Sequence, residues 1–327
     1  KMFNFDLPKE LIAQYPLKER EKARLMVVYR EGKKIEENIF ENIGDYIDDN
    51  YVIVLNDTKV IPARIICKKQ TGGKIEILLL ERLNENRWSV LIKGKVKDRT
   101  KFSKEKLEGE VVEKKQNGSF IVEFNLNYEE LLKYGDIPLP PYIKRKPTNR
   151  DKIYYQTIYA KKEGSIAAPT AGLHFTESLI KNLKNKGIEF YYITLHIGWS
   201  SIKILKNGKG IGKEYFEISE ETAERLNDSK SKGKKIIAVG TSTVRALESA
   251  FENGKIRPYN GYTNLFIKPG YNFKFIDALI TNFHLPNSTH LYIVCAFAGS
   301  EIIEKAYKIA IEKKYRFYSY GDSMMII

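Results

Sequence analysis

The chain has 327 residues, 43% hydrophobic and 29% charged, with 55 basic against 41 acidic residues and a formal net charge of +14. That composition can bury a sizeable core and excludes a disordered chain, while Cys67 and Cys295 are too few and too isolated for a disulfide framework or a metal site. No apolar run reaches the 18 residues a membrane span requires, Leu291–Ala298 being the densest, and no basic-then-apolar leader opens the chain, so a cytoplasmic protein is expected.

In chain order, Leu7–Tyr15 reads as a short helix with Pro8 in its first turn and Pro16 ending it. Arg24–Tyr29 and Tyr51–Leu55 are apolar, β-branched runs and read as buried strands. Short strands then follow one another: Ile61–Cys67, Lys74–Leu80, Arg87–Ile92, Glu110–Glu113 and Ser119–Phe124, several separated by turn residues such as Gly72-Gly73 and Asn117-Gly118. Strands in series without helices predict a small antiparallel barrel. The proline-rich Asp136–Tyr142 marks a boundary. Beyond it strands and helices alternate. Thr176 caps a helix ended by Gly187, Ile188–His196 is a strand, and Ser219 caps Glu220–Lys230. Lys235–Val239 is a strand, Ser242–Glu252 a helix, and Ser300 caps a helix to Lys314. The expected fold class is therefore mixed α/β, with residues 1–66 and 142–327 forming a domain interrupted by an inserted antiparallel β-barrel at 67–141.

The positive charge attracts polyanions, although lysine-rich solvated faces are an equally plain account of it. Two stretches concentrate it: Lys93 to Lys106, and Lys144 to Lys152.

Three segments combine small residues, polar groups and a helix start. In Ala167–Phe175, Pro169, Thr170 and Gly172 let a ligand approach the backbone ahead of a helix N-terminus; a tight loop with His174 in the core is the alternative. In Ile236–Arg245, a buried strand runs through Gly240 into Thr241, Ser242 and Thr243, which suits an anion. Arg245 then either meets a carboxylate or phosphate or pairs with Glu248. In Ile276–Pro286, Asp277, Asn282 and His284 stand at the margins of an apolar strand, a common location for α/β sites. No zinc-binding histidine spacing, HExxH, GxSxG, GxGxxG or GxxxxGK[ST] is present.

The third segment, extended through Asn287-Ser288-Thr289 and Ala296–Gly299, resembles the S-adenosylmethionine:tRNA ribosyltransferase-isomerase family of queuosine biosynthesis. Asn56–Arg64, Gly73–Glu76, Pro138–Ile143, Tyr155–Ala160, Ala167–Phe175, Val239–Ser249 and Tyr315–Met324 agree in the same order, nearly along the whole chain. The resemblance implies that the ribosyl part of S-adenosylmethionine is moved onto 7-aminomethyl-7-deazaguanine at the wobble position of tRNAs with a GUN anticodon. Epoxyqueuosine forms and adenine and methionine leave, with no metal and with the protein expected as a monomer. On that chemistry His174 and His284 are the base candidates. Arg245, with Thr241 and Thr243, is a candidate to hold the methionine carboxylate or a tRNA phosphate. Asp277, grouped with the catalytic residues, and Asp322 are candidates to balance the sulfonium or bind ribose hydroxyls. Pro169, Thr170, Gly172, Asn282 and Arg64 complete the expected substrate-binding set.

One departure stands out. After Leu195–Gly198 the family usually continues with glycine-threonine-phenylalanine and a segment carrying two histidines; here Trp199–Lys213 is shorter and has no histidine. That leaves two alternatives open: a relative using S-adenosylmethionine with another acceptor, or a non-catalytic tRNA-binding protein.

Overall fold

The computed structural model describes residues 3–198 and 213–327. Its larger part is built on a sheet whose strands lie in the order Tyr259–Thr263, Glu214–Ile218, Glu189–Leu195, Tyr51–Asn56, Lys235–Val239, Ala278–Asn282, Ser323–Ile326, Arg24–Tyr29 and Lys34–Ile39. The four strands from Glu189–Leu195 to Ala278–Asn282 run parallel, with Val54 beside Ala238 and Val239 beside Ile280. Their near-continuous apolar sequences are what parallel strands covered on both faces require. Val52 and Val54 face helices Glu220–Ser231 and Thr241–Ala250, while Ile53 and Leu55 point toward Phe40, Ile43 and helix Glu177–Asn185.

Six antiparallel strands, Arg64–Lys69, Lys74–Arg82, Arg87–Lys93, Lys101–Lys104, Leu107–Lys114 and Phe120–Phe124, close into the barrel. Along Lys74–Arg82 the period of two places Ile75, Ile77 and Leu79 inside, against Trp88, Val90 and Phe102, and turns Lys74, Glu76 and Leu78 outward. Arg64 and Asp136 exchange both backbone hydrogen bonds, at 3.2 and 2.8 Å, so the chain enters and leaves the barrel at one place. The fold is thus mixed α/β with a closed antiparallel barrel, and the barrel's first strand straddles the boundary expected after residue 66.

The caps foreseen at Thr176 and Ser219 are present, accepting from the Leu179 and Thr222 N–H groups. The Leu7–Tyr15 helix is not: only a 3₁₀ turn, Lys9–Leu11, forms there. The residues after it are claimed by Phe317, whose carbonyl accepts from Ala13 N–H and whose N–H donates to Leu11. At the other end, Leu291–Ala298 is part of a buried helix, Thr289–Ala298, capped by Ser288, and Gly299 rather than Ser300 precedes the next helix, Ser300–Glu312. Among the described residues no helix is long and apolar enough to cross a membrane.

Candidate functional site

The carboxyl ends of Lys235–Val239 and Ala278–Asn282 open into a cavity of about 100 Å³, the end of a parallel sheet at which ligands bind. Two loops distant in sequence meet there. Thr170 Oγ1 donates to Asn282 Oδ1 at 2.9 Å, and Pro169, Thr170, Asn282 and His284 all line the cavity. A third wall is the start of helix Thr241–Ala250. Gly240, at φ 92°, turns the chain from strand into helix in a conformation that disfavours side chains. It supplies no capping side chain, so the first-turn N–H groups are available to an acceptor, with the Thr241 and Ser242 hydroxyls beside them. Asn56, at the end of the neighbouring strand, donates to Ser242 Oγ at 3.1 Å and fixes that hydroxyl.

The imidazole of His284 lies 5.2 Å from that of His290, the rings stacked at 21°. His284 Nε2 is 2.6 Å from Thr281 Oγ1, and its backbone N–H donates to the Tyr307 hydroxyl at 2.8 Å. His290 Nδ1 is 2.8 Å from Thr241 Oγ1. Burial, reinforced by the neighbouring His290, holds His284 well below the ordinary imidazole pKa. It is thus a neutral ring that lines the cavity. Arg245 also reaches this wall but is 2% exposed, with Nη1 at 2.6 Å from Glu214 Oε1. Glu214 Oε2 in turn accepts from Gly198 N–H at 2.6 Å. The partner foreseen for Arg245, Glu248, is occupied elsewhere, accepting from the Lys274 and Phe275 N–H groups at 2.8 and 2.9 Å.

Other residues singled out in the sequence lie off the cavity. His174 is buried with its ring 5.0 Å from that of Phe40 and Nε2 2.8 Å from the Gly321 carbonyl; desolvation lowers its pKa. It borders a smaller cleft with Arg20 and Tyr320. Gly172 is packed under the Tyr159 hydroxyl, leaving no room for a Cβ. Thr243 Oγ1 donates to its own helix's approach strand, at Val239 O, 2.8 Å. Asp322 latches the C-terminal loop by accepting from Arg24 and Arg316 N–H groups at 2.9 and 2.7 Å. Asp277 sits at the amino end of the strand whose carboxyl end bears Asn282, accepting from Lys230 Nζ at 2.6 Å and Ile236 N–H at 2.8 Å. Arg64 pairs with Glu76 on the outside of the barrel. Of the altered segment 199–213, all but Lys213 lies outside the described residues.

Ser242, read from sequence as part of the anion-suited turn, lines the cavity, which also adds Tyr142, Ser288, His290, Tyr318 and Ser319 to the expected site residues. All of these but His290 fell within the segments that resemble the family, and His290 was visible only as a histidine without a motif. Among the described residues no group of three or more His, Cys, Asp or Glu side chains is placed to hold a metal ion.

Comparison with known proteins agrees along the full length. The profile of a family described as queuosine biosynthesis protein matches residues 1–326. The S-adenosylmethionine:tRNA ribosyltransferase-isomerase of Caldanaerobacter subterraneus subsp. tengcongensis is 48% identical, covering 99% of this chain and 98% of that protein. The protein of the same name from Halothermothrix orenii is 47% identical, with 99% and 98% covered. A crystal structure of S-adenosylmethionine tRNA ribosyltransferase from Thermotoga maritima superposes with a TM-score of 0.60 at 37% identity, covering 99% of each chain.

Proposed function

The chain belongs to the queuosine biosynthesis protein family, and from that membership and its cleft we propose that it is an S-adenosylmethionine:tRNA ribosyltransferase-isomerase. It attaches the ribosyl group of S-adenosylmethionine to the aminomethyl group of 7-aminomethyl-7-deazaguanine at the wobble position of tRNAs with a GUN anticodon. The sugar is then rearranged to give epoxyqueuosine, and adenine and methionine leave. The observation that carries this reading is the hydrogen bond from Thr170 to Asn282, which joins two family-like loops around one cavity at the head of the parallel strands.

The geometry supports the following roles. The open first turn of helix Thr241–Ala250, with the Thr241 and Ser242 hydroxyls, holds the methionine carboxylate. Arg245 is charge-balanced by Glu214, so it shapes that wall as part of an ion pair rather than as a lone cation. The attacking amine must be neutral and the rearrangement needs a base; His284, neutral and at the cavity, takes that part in place of His174, whose ring is held away from it.

Incubation with S-adenosylmethionine and tRNA carrying the deazaguanine precursor tests the reading. Adenine, methionine and a heavier wobble nucleoside are expected. Cosubstrate cleavage without change in the tRNA points to another acceptor, tight tRNA binding without turnover to a non-catalytic relative, and S-adenosylhomocysteine to methyl transfer; each of these overturns it.

A further inference from the structure

Outside the cavity the barrel presents a second concavity, of about 830 Å³, between its outer face and the proline-rich segment that follows it. One wall consists of the outward residues of three adjacent strands: Ile66, Lys74, Leu78, Leu91 and Lys93 among them. The facing wall is Pro138–Pro147, carrying Lys144, Arg145 and Lys146. The two basic stretches noted in the sequence, some 50 residues apart, thus face each other across one groove. The meeting is selective. Of the first stretch only Lys93 and Lys104 line the groove, whereas Arg99 turns away to Glu110 at 3.7 Å.

Charge balance sets this groove apart from an ordinary solvated face. Glu76 and Asp136 are its acidic residues, and Glu76 is already engaged by Arg64. Arg145 is committed to Asp151, Lys133 to Glu130, and Lys104 donates to the Tyr134 carbonyl at 3.2 Å. Lys74, Lys93, Lys144 and Lys146 form no ion pair among the described residues, and all four are exposed. Between these cations the floor is apolar, from Ile66 (43% exposed), Leu78 and Leu91, with Tyr134 at one side. A rim of unpaired lysines around an apolar and aromatic floor matches a ribose-phosphate backbone, which brings regularly spaced anions and the less polar faces of sugars and bases.

We propose that this barrel groove is the surface that grips the RNA backbone of the substrate tRNA, with Lys74, Lys93, Lys144 and Lys146 as its phosphate contacts. The proposal rests on the tRNA reading above but concerns a surface separate from the reaction cavity. Binding there adds affinity and orientation without touching the reacting atoms, so its loss raises KM for tRNA and leaves kcat in place.

The test compares the variant Lys74→Ala/Lys93→Ala/Lys144→Ala with a control of equal charge, Lys255→Ala/Lys305→Ala/Lys308→Ala, whose residues lie off the groove. Affinity for precursor-bearing tRNA is measured by fluorescence anisotropy across a salt series, alongside steady-state kinetics. Three lost phosphate contacts should lower the slope of log affinity against log salt by about 2–3, worth roughly a hundredfold in affinity near 0.1 M salt. KM should rise accordingly, with kcat, S-adenosylmethionine affinity and the control variant's slope unchanged. Equal slopes for the two variants, or a groove variant that binds tRNA like the wild type, overturns the proposal even where turnover proves the enzyme reading correct. A wild-type protein that binds tRNA without turnover refutes the enzyme reading, while the slope comparison still decides the groove; a wild type with no tRNA affinity refutes both.

Discussion

Asp151 is 0% exposed and collects an unusual number of donors for a residue outside the reaction cavity. Arg145 binds both its oxygens at 2.7 and 2.9 Å, Thr148 N–H donates at 2.7 Å, and the Tyr320 hydroxyl donates at 2.7 Å. Burial alone would raise its pKa, but the Arg145 pair, the Thr148 amide and Tyr320 outweigh that and hold the carboxyl at about 2, against 3.8 for the free group. With the carboxylate buried and its Arg145 partner only slightly exposed, that difference is at most on the order of 2 kcal/mol of folding stability at neutral pH. The sign follows from proton uptake: the contribution is fully present above about pH 5 and is lost as pH falls from 3.8 toward 2, because the unfolded chain takes the proton first. Replacing Asp151 with Asn removes this part and also aims an amide N–H at existing donors beside a stranded guanidinium, for a total of about 3–5 kcal/mol. Urea unfolding at pH 7, 5, 4 and 3 should show a lower midpoint for D151N at pH 7 and 5, with the gap to wild type narrowing by pH 3. A variant with the wild-type midpoint at pH 7, or a gap that does not change down to pH 3, would refute the argument. Because Tyr320 adjoins Ser319 on the cavity wall, D151N should also weaken S-adenosylmethionine binding.

His284→Ala should cut single-turnover adenine release by about 10²–10⁴-fold while His174→Ala lowers Tm and leaves turnover largely in place at permissive temperature; the reverse pattern would restore His174 as the base. Since burial and His290 depress the His284 pKa, its ring should stay neutral as pH falls from 8 through 6.5, and an imidazole NMR signal with its midpoint at or above 6.5 would contradict the site's electrostatics. Gly135→Ala would drive a Cβ into the Pro62 carbonyl oxygen, a backbone atom with little freedom to retreat. A stability loss of about 1–3 kcal/mol is expected, measurable as a lower urea midpoint, and an unchanged midpoint would show that this crossing is looser than its geometry implies.

Much of the fold was legible because period and turn chemistry agreed with the final packing. The strand-after-strand stretch closed into a barrel, and Val239-Gly240-Thr241 became strand, turn and helix start. What escaped depends on partners far along the chain. Leu7–Tyr15 has a helical pattern, but Phe317 takes its backbone into a bridge. Lys34–Ile39 is too polar to read as a strand and becomes one at the sheet's edge beside Arg24–Tyr29. Thr289–Ala298 is buried too completely for an amphipathic period to show. In the site, closeness in sequence misled where direction mattered. Asp277 and Asn282 bracket one short strand, yet its length puts them at opposite ends of the sheet, and only the carboxyl end faces the cavity. The stacking of His284 on His290 depends on the turn between strand and helix, which residue identity alone does not specify.

The paired backbones of Arg64 and Asp136 have a consequence for how this molecule can vary. Two residues that exchange both hydrogen bonds keep their Cα atoms about 5.5 Å apart, so the sheet meets everything between them as a hairpin already shut. Lengthening such a loop costs only about 0.6 kcal/mol per doubling, which leaves the intervening strands free to gain, lose or exchange surface residues while the register of the parallel sheet stays untouched. The barrel is thereby attached to the sheet through a closed crossing, and a change on its outer strands need not reach the reaction cavity.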